Sequence, residues 1–385
     1  MKYLSVNQKN CKMKNILITI FYADGLHGGV KYTVELSEYF QLQGYNVYVA
    51  GILTNYRTRN YFKKHDINFF EIQDLPLDIE YDIVWAHHFP IVPYLIQRGL
   101  KYKRLINSCI SKILPIERYF WFYKNVDMLL CLTQETKNML VNEYNIPESR
   151  IRILPNTAPD IFFEQNYTVK SDIKSIAVIS NHPPKEVIEA LKLFKKQGYK
   201  TIIYGGKHQK DITPDILKNH DVVITIGKTV QYCLAMGIPV YNYDHFGGSG
   251  YITLKNIDIE ENSTFSGRSF FTKKTAEQIK QEIISQYKKT IKEQTKLKQI
   301  AKKRYKLSTR ISEIINIIET TKPVQHVKIT NSNRLFFDYC QAFIDIVNSI
   351  KPKPKTLSGW ARIVYCLIPL RNQRHKFKQW YLNRY

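Results

Sequence analysis

The sequence has no apolar run approaching the roughly 20 consecutive residues that a membrane-spanning helix requires. Its six cysteines are scattered without C-x-x-C spacing, which indicates neither a zinc site nor a disulfide framework. Acidic residues are scarce, with 33 Asp and Glu against 57 Lys and Arg. These absences favour a soluble or peripheral protein of a reducing cytoplasm that has an anionic partner.

The chain is long enough for two domains and an appendage, and its apolar content excludes disorder. It has 385 residues, of which 44% are hydrophobic and 13% aromatic. The apolar residues 16–22 follow Lys12 and Lys14, as in a signal sequence. Asp24 ends this run and no small-residue cleavage site follows, so the run predicts a buried first strand.

The net charge of +24 requires an anionic partner or tolerance of self-repulsion. Three partners are considered: nucleic acid, a negatively charged membrane face and a nucleotide substrate. No RNA-recognition or helix-turn-helix pattern is present, so we expect no nucleic-acid partner.

The order of apolar patterns predicts two doubly wound α/β domains in tandem. Strand and helix patterns alternate from residue 16 to residue 144, and a second series begins at residue 175 after a polar connector at 157–172. Ligands of such sheets bind beyond the carboxyl ends of the strands. We therefore expect the site in a cleft between two facing domains.

Residues 221–251 are the most informative segment. A strand at 222–226 precedes the turn Gly227-Lys228-Thr229, a helix that Gly237 stops, and a second strand that enters Gly247-Gly248-Ser249-Gly250. Glycines permit close approach of the backbone to an anion, and amides at a following helix start carry partial positive charge. The segment predicts a phosphate site; the alternative is that the glycines only make turns.

The last 35 residues differ from the rest. Residues 351–385 contain nine Lys or Arg, no Asp or Glu, and interspersed aromatic residues, a composition typical of an anchor to an anionic membrane surface. The alternative is a basic helix packed on the second domain. The predicted domains are 1–165, 170–322 and a helical tail at 323–385.

Several fragments occur in order over residues 15–320: Gly28-Gly29-Val30, GYNV at 44–47, the strand ending in His87-His88, DMLLCLTQET at 127–136, RILPN at 152–156 and AMGIPV at 235–240. Together they resemble the two-domain GT-B glycosyltransferases, especially glycosyltransferase family 4 of bacterial surface-polysaccharide clusters. The resemblance implies a GT-B fold of two Rossmann-like domains that face a cleft, the first on the acceptor side and the second binding a nucleotide sugar.

The sequence also departs from this family. Ile224 and Tyr232 stand where the family carries two glutamates that contact the donor sugar and ribose. The Arg and Lys that usually grip the diphosphate are replaced by residues 180–185, which include Asn181, His182 and Lys185. The chain resembles a divergent subgroup of surface-glycan transferases.

Transfer from a nucleotide sugar requires stabilisation of the leaving diphosphate. No D-x-D motif appears at a strand end, so we expect no metal cofactor, and candidate stabilisers are Lys228, Arg268 and the amides of 248–250. The alternatives are a solvated turn lysine and a surface ion pair. All donor-side candidates are Gly28, Gly29, Asn181, His182, Lys185, Gly227, Lys228, Thr229, His245, Gly247, Gly248, Ser249, Gly250 and Arg268.

A base is needed only if the acceptor hydroxyl attacks directly with inversion. The candidates are Asp24, His27, His87, His88 and His245. The resemblance places His87 or His88 in the cleft, and adjacent strand residues point to opposite faces, so one of the two should point away. A histidine that only caps a strand end is the alternative.

The sequence thus predicts a metal-independent glycosyltransferase, cytoplasmic and peripheral on the inner face of the cell membrane. It would transfer a sugar from a nucleotide sugar to a lipid-linked, lipopolysaccharide or capsule glycan. The alternatives are a catalytically silent GT-B-like scaffold that binds glycan or nucleotide, a nucleotide-sugar epimerase, and a nucleic-acid-binding protein.

Overall fold

The computed structural model describes residues 13–88, 90–111, 115–117, 123–208, 210–350 and 373–377. The chain divides into two compact units, one comprising Met1–Leu129 with Pro323–Tyr385 and the other Leu130–Lys322. The seven strands of the first sheet lie within predicted domain 1–165, and the five strands of the second lie within predicted domain 170–322.

The first sheet has the strand order β3-β2-β1-β4-β5-β6-β7. Its strands are β1 (Asn15–Ala23), β2 (Asn46–Thr54), β3 (Asn68–Glu71), β4 (Glu80–His87), β5 (Lys101–Cys109), β6 (Met128–Cys131) and β7 (Ile151–Ile153). The helices between them are α1 (Gly28–Leu42), α2 (Tyr56–Lys64), α3 (Ile91–Gln97) and α4 (Gln134–Asn142).

Strand β1 lies at the centre of this sheet, parallel to β2 on one side and to β4 on the other. Its residues 16–21 are all buried, because helices cover both faces of a parallel sheet. A strand buried on both faces appears in the sequence as a continuous apolar run. The predicted first strand at 16–22 is confirmed.

The second sheet has the strand order β12-β11-β10-β8-β9. Its strands are β8 (Ser175–Ile179), β9 (Lys200–Tyr204), β10 (Val222–Thr225), β11 (Val240–Asp244) and β12 (Gly247–Tyr251), and only the β11–β12 pair is antiparallel. The helices that follow β7 in this unit are α5 (Asp160–Phe163), α6 (Lys185–Lys196), α7 (Pro214–Leu217), α8 (Lys228–Met236), α9 (Ile257–Asn262), α10 (Ala276–Thr290), α11 (Gln294–Tyr305) and α12 (Leu307–Thr320).

Two apolar cores cover the faces of the second sheet. One includes side chains of α8 and α11, and the other includes side chains of α6 and α10. Both faces are therefore buried, so the carboxyl edge is where the sheet presents its loops for binding.

After Pro323 the chain belongs to the first unit. Helix α13 (Arg334–Ile350) packs against α3 and β2, and Phe343 stacks on Phe21 with 5.8 Å between ring centroids. Of the predicted membrane anchor at 351–385, only residues 373–377 are described, and these are helical. The remainder of that prediction lies outside the described residues.

Candidate functional site

The carboxyl ends of β1 and β4 lie side by side because the two strands are neighbours and parallel. This edge carries Asp24, His27, His87 and His88. The carboxylates of Asp24 and Glu117 raise the pKa of His27 and His88 lowers it, so these side chains lie close enough to His27 to interact with it.

His88 directly follows β4 in the left-handed region, with φ of 70°. Its Nδ1 accepts the backbone N–H of Phe21 over 3.2 Å, and its Nε2 lies 3.5 Å from a carboxylate oxygen of Glu117. An acceptor Nδ1 places the ring proton on Nε2, toward Glu117. Both nitrogens therefore face protein groups, and the imidazole is held in one tautomer.

His87 is buried, and its ring meets that of Tyr32 edge to face, with centroids 5.3 Å apart. Burial, with a smaller contribution from His88, lowers the pKa of His87 to about 3. Neither ring nitrogen has a hydrogen-bond partner among the described residues. The imidazole is therefore neutral at pH 7. The adjacent histidines contact different residues: the His87 ring lies against Tyr32, and His88 bonds to Phe21 and faces Glu117.

The loop from β1 to α1 carries the accessible groups of this edge. Asp24 is exposed, and its backbone carbonyl oxygen accepts a hydrogen bond from the Asn55 side-chain amide. His27 Nε2 lies 3.0 Å from the Tyr22 carbonyl oxygen, and burial lowers the pKa of His27, opposed in part by this hydrogen bond and by Asp24. Asp24 is thus the exposed carboxylate beside the histidine cluster.

Helix α1 starts at Gly28 with open space around its first residue. His27 at the N-cap makes no side-chain capping bond, and the first turn has no acidic residue. A Cβ at Gly28 would meet nothing within 4 Å, whereas one at Gly29 would meet the His27 ring at 3.2 Å. The positive end of α1 is therefore not neutralised by its own side chains.

In the second unit, the turns after the parallel strands meet at the carboxyl edge of the sheet. Asn181 Oδ1 accepts the Gly206 N–H over 3.3 Å, and Ser180 Oγ lies 3.4 Å from Asp244. Burial raises the pKa of Asp244, although the His245 N–H partly offsets this effect. The turns after β8, β9 and β11 are thus linked into one surface.

Besides Asn181, three predicted donor-side residues of this edge, all with ionisable side chains, are exposed. His182 lies in the turn after β8, Lys185 opens α6 beside Glu189, and His245 Nε2 lies 3.6 Å from Asp244. The exposed imidazoles and ammonium supply donors for an anion without rearrangement of the fold.

Gly227 lies at the positive end of α8. It has φ of 62°, its Cβ position is open, and its N–H donates to the Phe265 carbonyl. Thr229 is half-buried in the first turn of the helix. The predicted strand, glycine turn and helix at 222–236 are confirmed as local structure.

Lys228 is buried, so the alternative of a solvated turn lysine is wrong. Its Nζ donates to the Thr157 carbonyl over 2.8 Å and lies 5.6 Å from the centre of the Tyr232 ring. Tyr232 stacks on Phe162 with ring centroids 4.4 Å apart. The Lys228 ammonium is therefore buried and bonded to the backbone.

Gly247, Gly248, Ser249 and Gly250 form β12, which pairs antiparallel with β11, and the next helix begins only at Ile257. The expectation of a glycine loop that opens a helix is wrong here. A Cβ at Gly248 would lie 1.9 Å from the Asn242 carbonyl oxygen, and the Gly248 N–H donates to Thr272. Close backbone packing explains these glycines, and the Gly248 amide already has a protein partner.

Arg268 follows a strained loop. Thr264 and Phe265 have φ of 58° and 54°, and a Cβ at Gly267 would lie 2.3 Å from the Gly247 carbonyl oxygen. The Arg268 guanidinium pairs with the Glu135 carboxylate. The predicted alternative, an ion pair, is what this structure contains.

Two candidates were not anticipated from the sequence. Glu117 faces His88, and Asn242 at the end of β11 is buried with neither amide atom bonded to a described residue. Glu117 lies in the segment after β5, which neighbours β4. The strand order is therefore the signal that would have indicated Glu117.

Among the described residues, no group of three or more His, Cys, Asp or Glu is placed to hold a metal ion.

Comparison with known proteins shows no matching family model and no matching curated protein. A solved glycosyltransferase of Rickettsia africae is similar, at 15% identity with a TM-score of 0.52, over 80% of this chain and 98% of that one. The fold is GT-B. This confirms the predicted fold class.

Two further similar structures have lower scores and add nothing to the assignment. MurG of Acinetobacter baumannii has 10% identity and a TM-score of 0.49, over 80% of this chain and 100% of that one. An epimerase of Listeria monocytogenes, described as a UDP-N-acetylglucosamine 2-epimerase, has 12% identity and a TM-score of 0.49, over 83% and 100%.

Proposed function

We propose that this GT-B protein is a glycosyltransferase that moves a sugar from a nucleotide sugar to a lipid-linked, lipopolysaccharide or capsule glycan. The observation that carries the proposal is that each of the two sheets presents a polar, titratable cluster at the carboxyl ends of its strands. A GT-B fold supplies one such edge for each of two substrates.

The donor diphosphate is assigned to the carboxyl edge of the second sheet. The first turn of α8, which follows Gly227, supplies backbone donors, and exposed His182, Lys185 and His245 lie at the same edge. Such groups stabilise charge that develops on a leaving diphosphate. Arg268 reaches the diphosphate by exchanging the Glu135 carboxylate for a phosphate oxygen.

The acceptor hydroxyl is assigned to the carboxyl edge of the first sheet. If transfer proceeds by direct inversion, Asp24 is the preferred base because its carboxylate is exposed. His88 positions the loop through Phe21 and Glu117, since both of its ring nitrogens face protein groups. His87 is the weaker candidate because it is buried against Tyr32.

The proposed transfer requires no metal, since cationic side chains and helix amides take the electrostatic role. Turnover that persists in excess EDTA would support this, whereas loss restored by Mg²⁺ or Mn²⁺ would contradict it. We also propose a cytoplasmic location on the inner membrane face, with the basic residues after 350 contacting anionic lipid.

The first experiment is a thermal titration with UDP, GDP and CMP and their sugar conjugates. A ligand at 100 times its Kd stabilises the native state by about 2.7 kcal/mol. Stabilisation by one nucleotide family would identify the donor base and direct the choice of acceptors. A folded protein that responds to none of these compounds would contradict the donor site as proposed.

A catalytically silent scaffold that binds nucleotide or glycan is the second candidate. Ile224 and Tyr232 occupy the positions of the family's glutamates, and both are buried, Tyr232 against Phe162. No carboxylate stands at these positions to contact ribose or sugar. Nucleotide binding without sugar transfer to any lipid-linked acceptor, and without hydrolysis or epimerisation, would favour the scaffold.

A further inference from the structure

Helix α13 is apolar on two opposite faces, and among the described residues the first unit covers only one of them. On the covered face, Phe337, Cys340 and Ile344 are buried. The helix is held there by the stacking of Phe343 on Phe21 and by a bond from Gln97 to Asp338. An isolated surface helix normally shows a polar outer face.

The outer face instead carries a row of apolar side chains, which we call the α13 ridge: Leu335, Tyr339, Ala342 and Ile346. Their spacing of four, three and four residues places them on one side of the helix. Leu335 is 82% exposed, Tyr339 71% and Ile346 56%, and Ala342 is also exposed. A contiguous row of this kind marks an interaction surface.

The charge around the ridge selects its partner. Exposed Lys328 and Arg334 precede it, and residues 351–385 after it carry nine cations and no acid. Two acids lie on α13, and both accept bonds from glutamines, Asp338 from Gln97 and Asp345 from Gln341. A second copy of this chain would bring a net charge of +24 against +24.

We propose that the α13 ridge inserts into the interfacial zone of an anionic lipid bilayer, with the flanking cations on the headgroups. This proposal rests on the proposed function for its biological setting, because it would place the first unit against a lipid-linked acceptor. None of the helices in the described part of the chain has the length and apolarity needed to cross a bilayer.

Apolar and electrostatic contributions to binding differ in their response to salt. Contacts between lysine and headgroups weaken as salt screens them, whereas burial of Leu335 and Tyr339 in lipid does not. Binding to vesicles should therefore fall in about 0.5 M NaCl but leave a residual that depends on the ridge.

The test is sedimentation of the full-length protein with phosphatidylcholine vesicles containing about one third phosphatidylglycerol. We expect the double variant Leu335→Glu, Tyr339→Glu to bind the vesicles at least tenfold more weakly than the wild type, both at low salt and in about 0.5 M NaCl. Leu42→Glu is the matched control, because Leu42 is 84% exposed on the same unit but lies at the end of α1. The control should bind within about twofold of the wild type.

Three results would overturn the proposal. One is equal binding by wild type and double variant; another is wild-type protein that does not bind these vesicles. The third is a wild-type dimer that the double variant abolishes, which would assign the ridge to a second copy.

A polarity-sensitive dye attached to the cysteine of Tyr339→Cys distinguishes a ridge covered by lipid from a ridge covered by another segment of this chain. Wild-type protein treated with the same dye is the reference, because it has cysteines of its own. We expect a blue shift only on addition of vesicles, and a dye already shielded without them would overturn the proposal. The nucleotide titration involves no membrane, so it tests the proposed function separately from the ridge. A double variant that keeps its nucleotide response shows that a loss of vesicle binding comes from the ridge and not from a damaged nucleotide site.

Discussion

The backbone N–H of Phe21 donates to Nδ1 of His88 over 3.2 Å, joining β1 to the end of β4. His88 adopts φ of 70°, which places the ring against β1 instead of continuing the strand. Glu117 lies 3.5 Å from the opposite nitrogen. The imidazole thus connects three segments of the first unit: β1, the end of β4 and the segment that carries Glu117.

Replacing His88 should lower the free energy of unfolding. His88→Ala removes the acceptor of the Phe21 N–H, and a buried unsatisfied donor costs about 1–3 kcal/mol. His88→Asn should recover most of this loss, because its amide oxygen replaces Nδ1 and asparagine tolerates positive φ. Urea denaturation of the three proteins measures the difference. Equal losses in both variants would show that the Phe21 bond contributes nothing.

His87 should make stability depend on pH. Its pKa is about 3 when folded and about 6.5 when unfolded, so the unfolded chain binds the extra proton between these values. Stability is therefore unaffected above pH 6.5 and falls as the pH drops toward 3, by up to about 1.4 kcal/mol per pH unit. His87→Gln should lack this contribution in urea titrations from pH 7.5 to pH 5. Parallel curves for the two proteins would contradict a buried neutral His87.

Gly248 should be required for folding, with or without nucleotide. An added Cβ would lie 1.9 Å from the Asn242 carbonyl oxygen, so Gly248→Ala forces a backbone shift and should cost about 1–3 kcal/mol or more. Gly28→Ala is the control, because its Cβ meets nothing within 4 Å, and it should be neutral or stabilise by about 0.5 kcal/mol. Thermal unfolding without ligand distinguishes them. Unchanged stability of Gly248→Ala would show that backbone packing does not explain this glycine, and would favour the predicted phosphate-binding role instead.

The apolar patterns predicted the central strands well, because strands buried on both faces appear as unbroken apolar runs. Strand β10 and helix α8 follow in the same way from residues 222–236. Strand β12 was not predicted, since Gly247 to Gly250 offer almost no side chains whose pattern could indicate a strand. Their glycines are explained by contacts with Asn242 and Thr272, which sequence order does not show.

The sequence predicted the exposed residues of the candidate site but not the contacts of its buried residues. Residues that directly follow a strand, such as Asp24 and His245, were found because the carboxyl edge is the expected location. The roles of buried groups depend on distant partners. Lys228 bonds to Thr157, 71 positions earlier, and Arg268 pairs with Glu135, 133 positions earlier. No local pattern in the sequence encodes such pairs.

The pairing of Arg268 with Glu135 makes opposite predictions for the two partners. If Arg268 leaves Glu135 to bind a diphosphate, Arg268→Ala should weaken binding of the stabilising nucleoside diphosphate by about tenfold to a hundredfold. Glu135→Gln should strengthen it by several-fold, because the competing carboxylate is gone. In the double variant the gain from Glu135→Gln should disappear, since no guanidinium remains to be released. Calorimetric titration of the four proteins measures each step. A loss of affinity in Glu135→Gln equal to that in Arg268→Ala would show instead that the ion pair holds the strained loop at Thr264 and Phe265 in place.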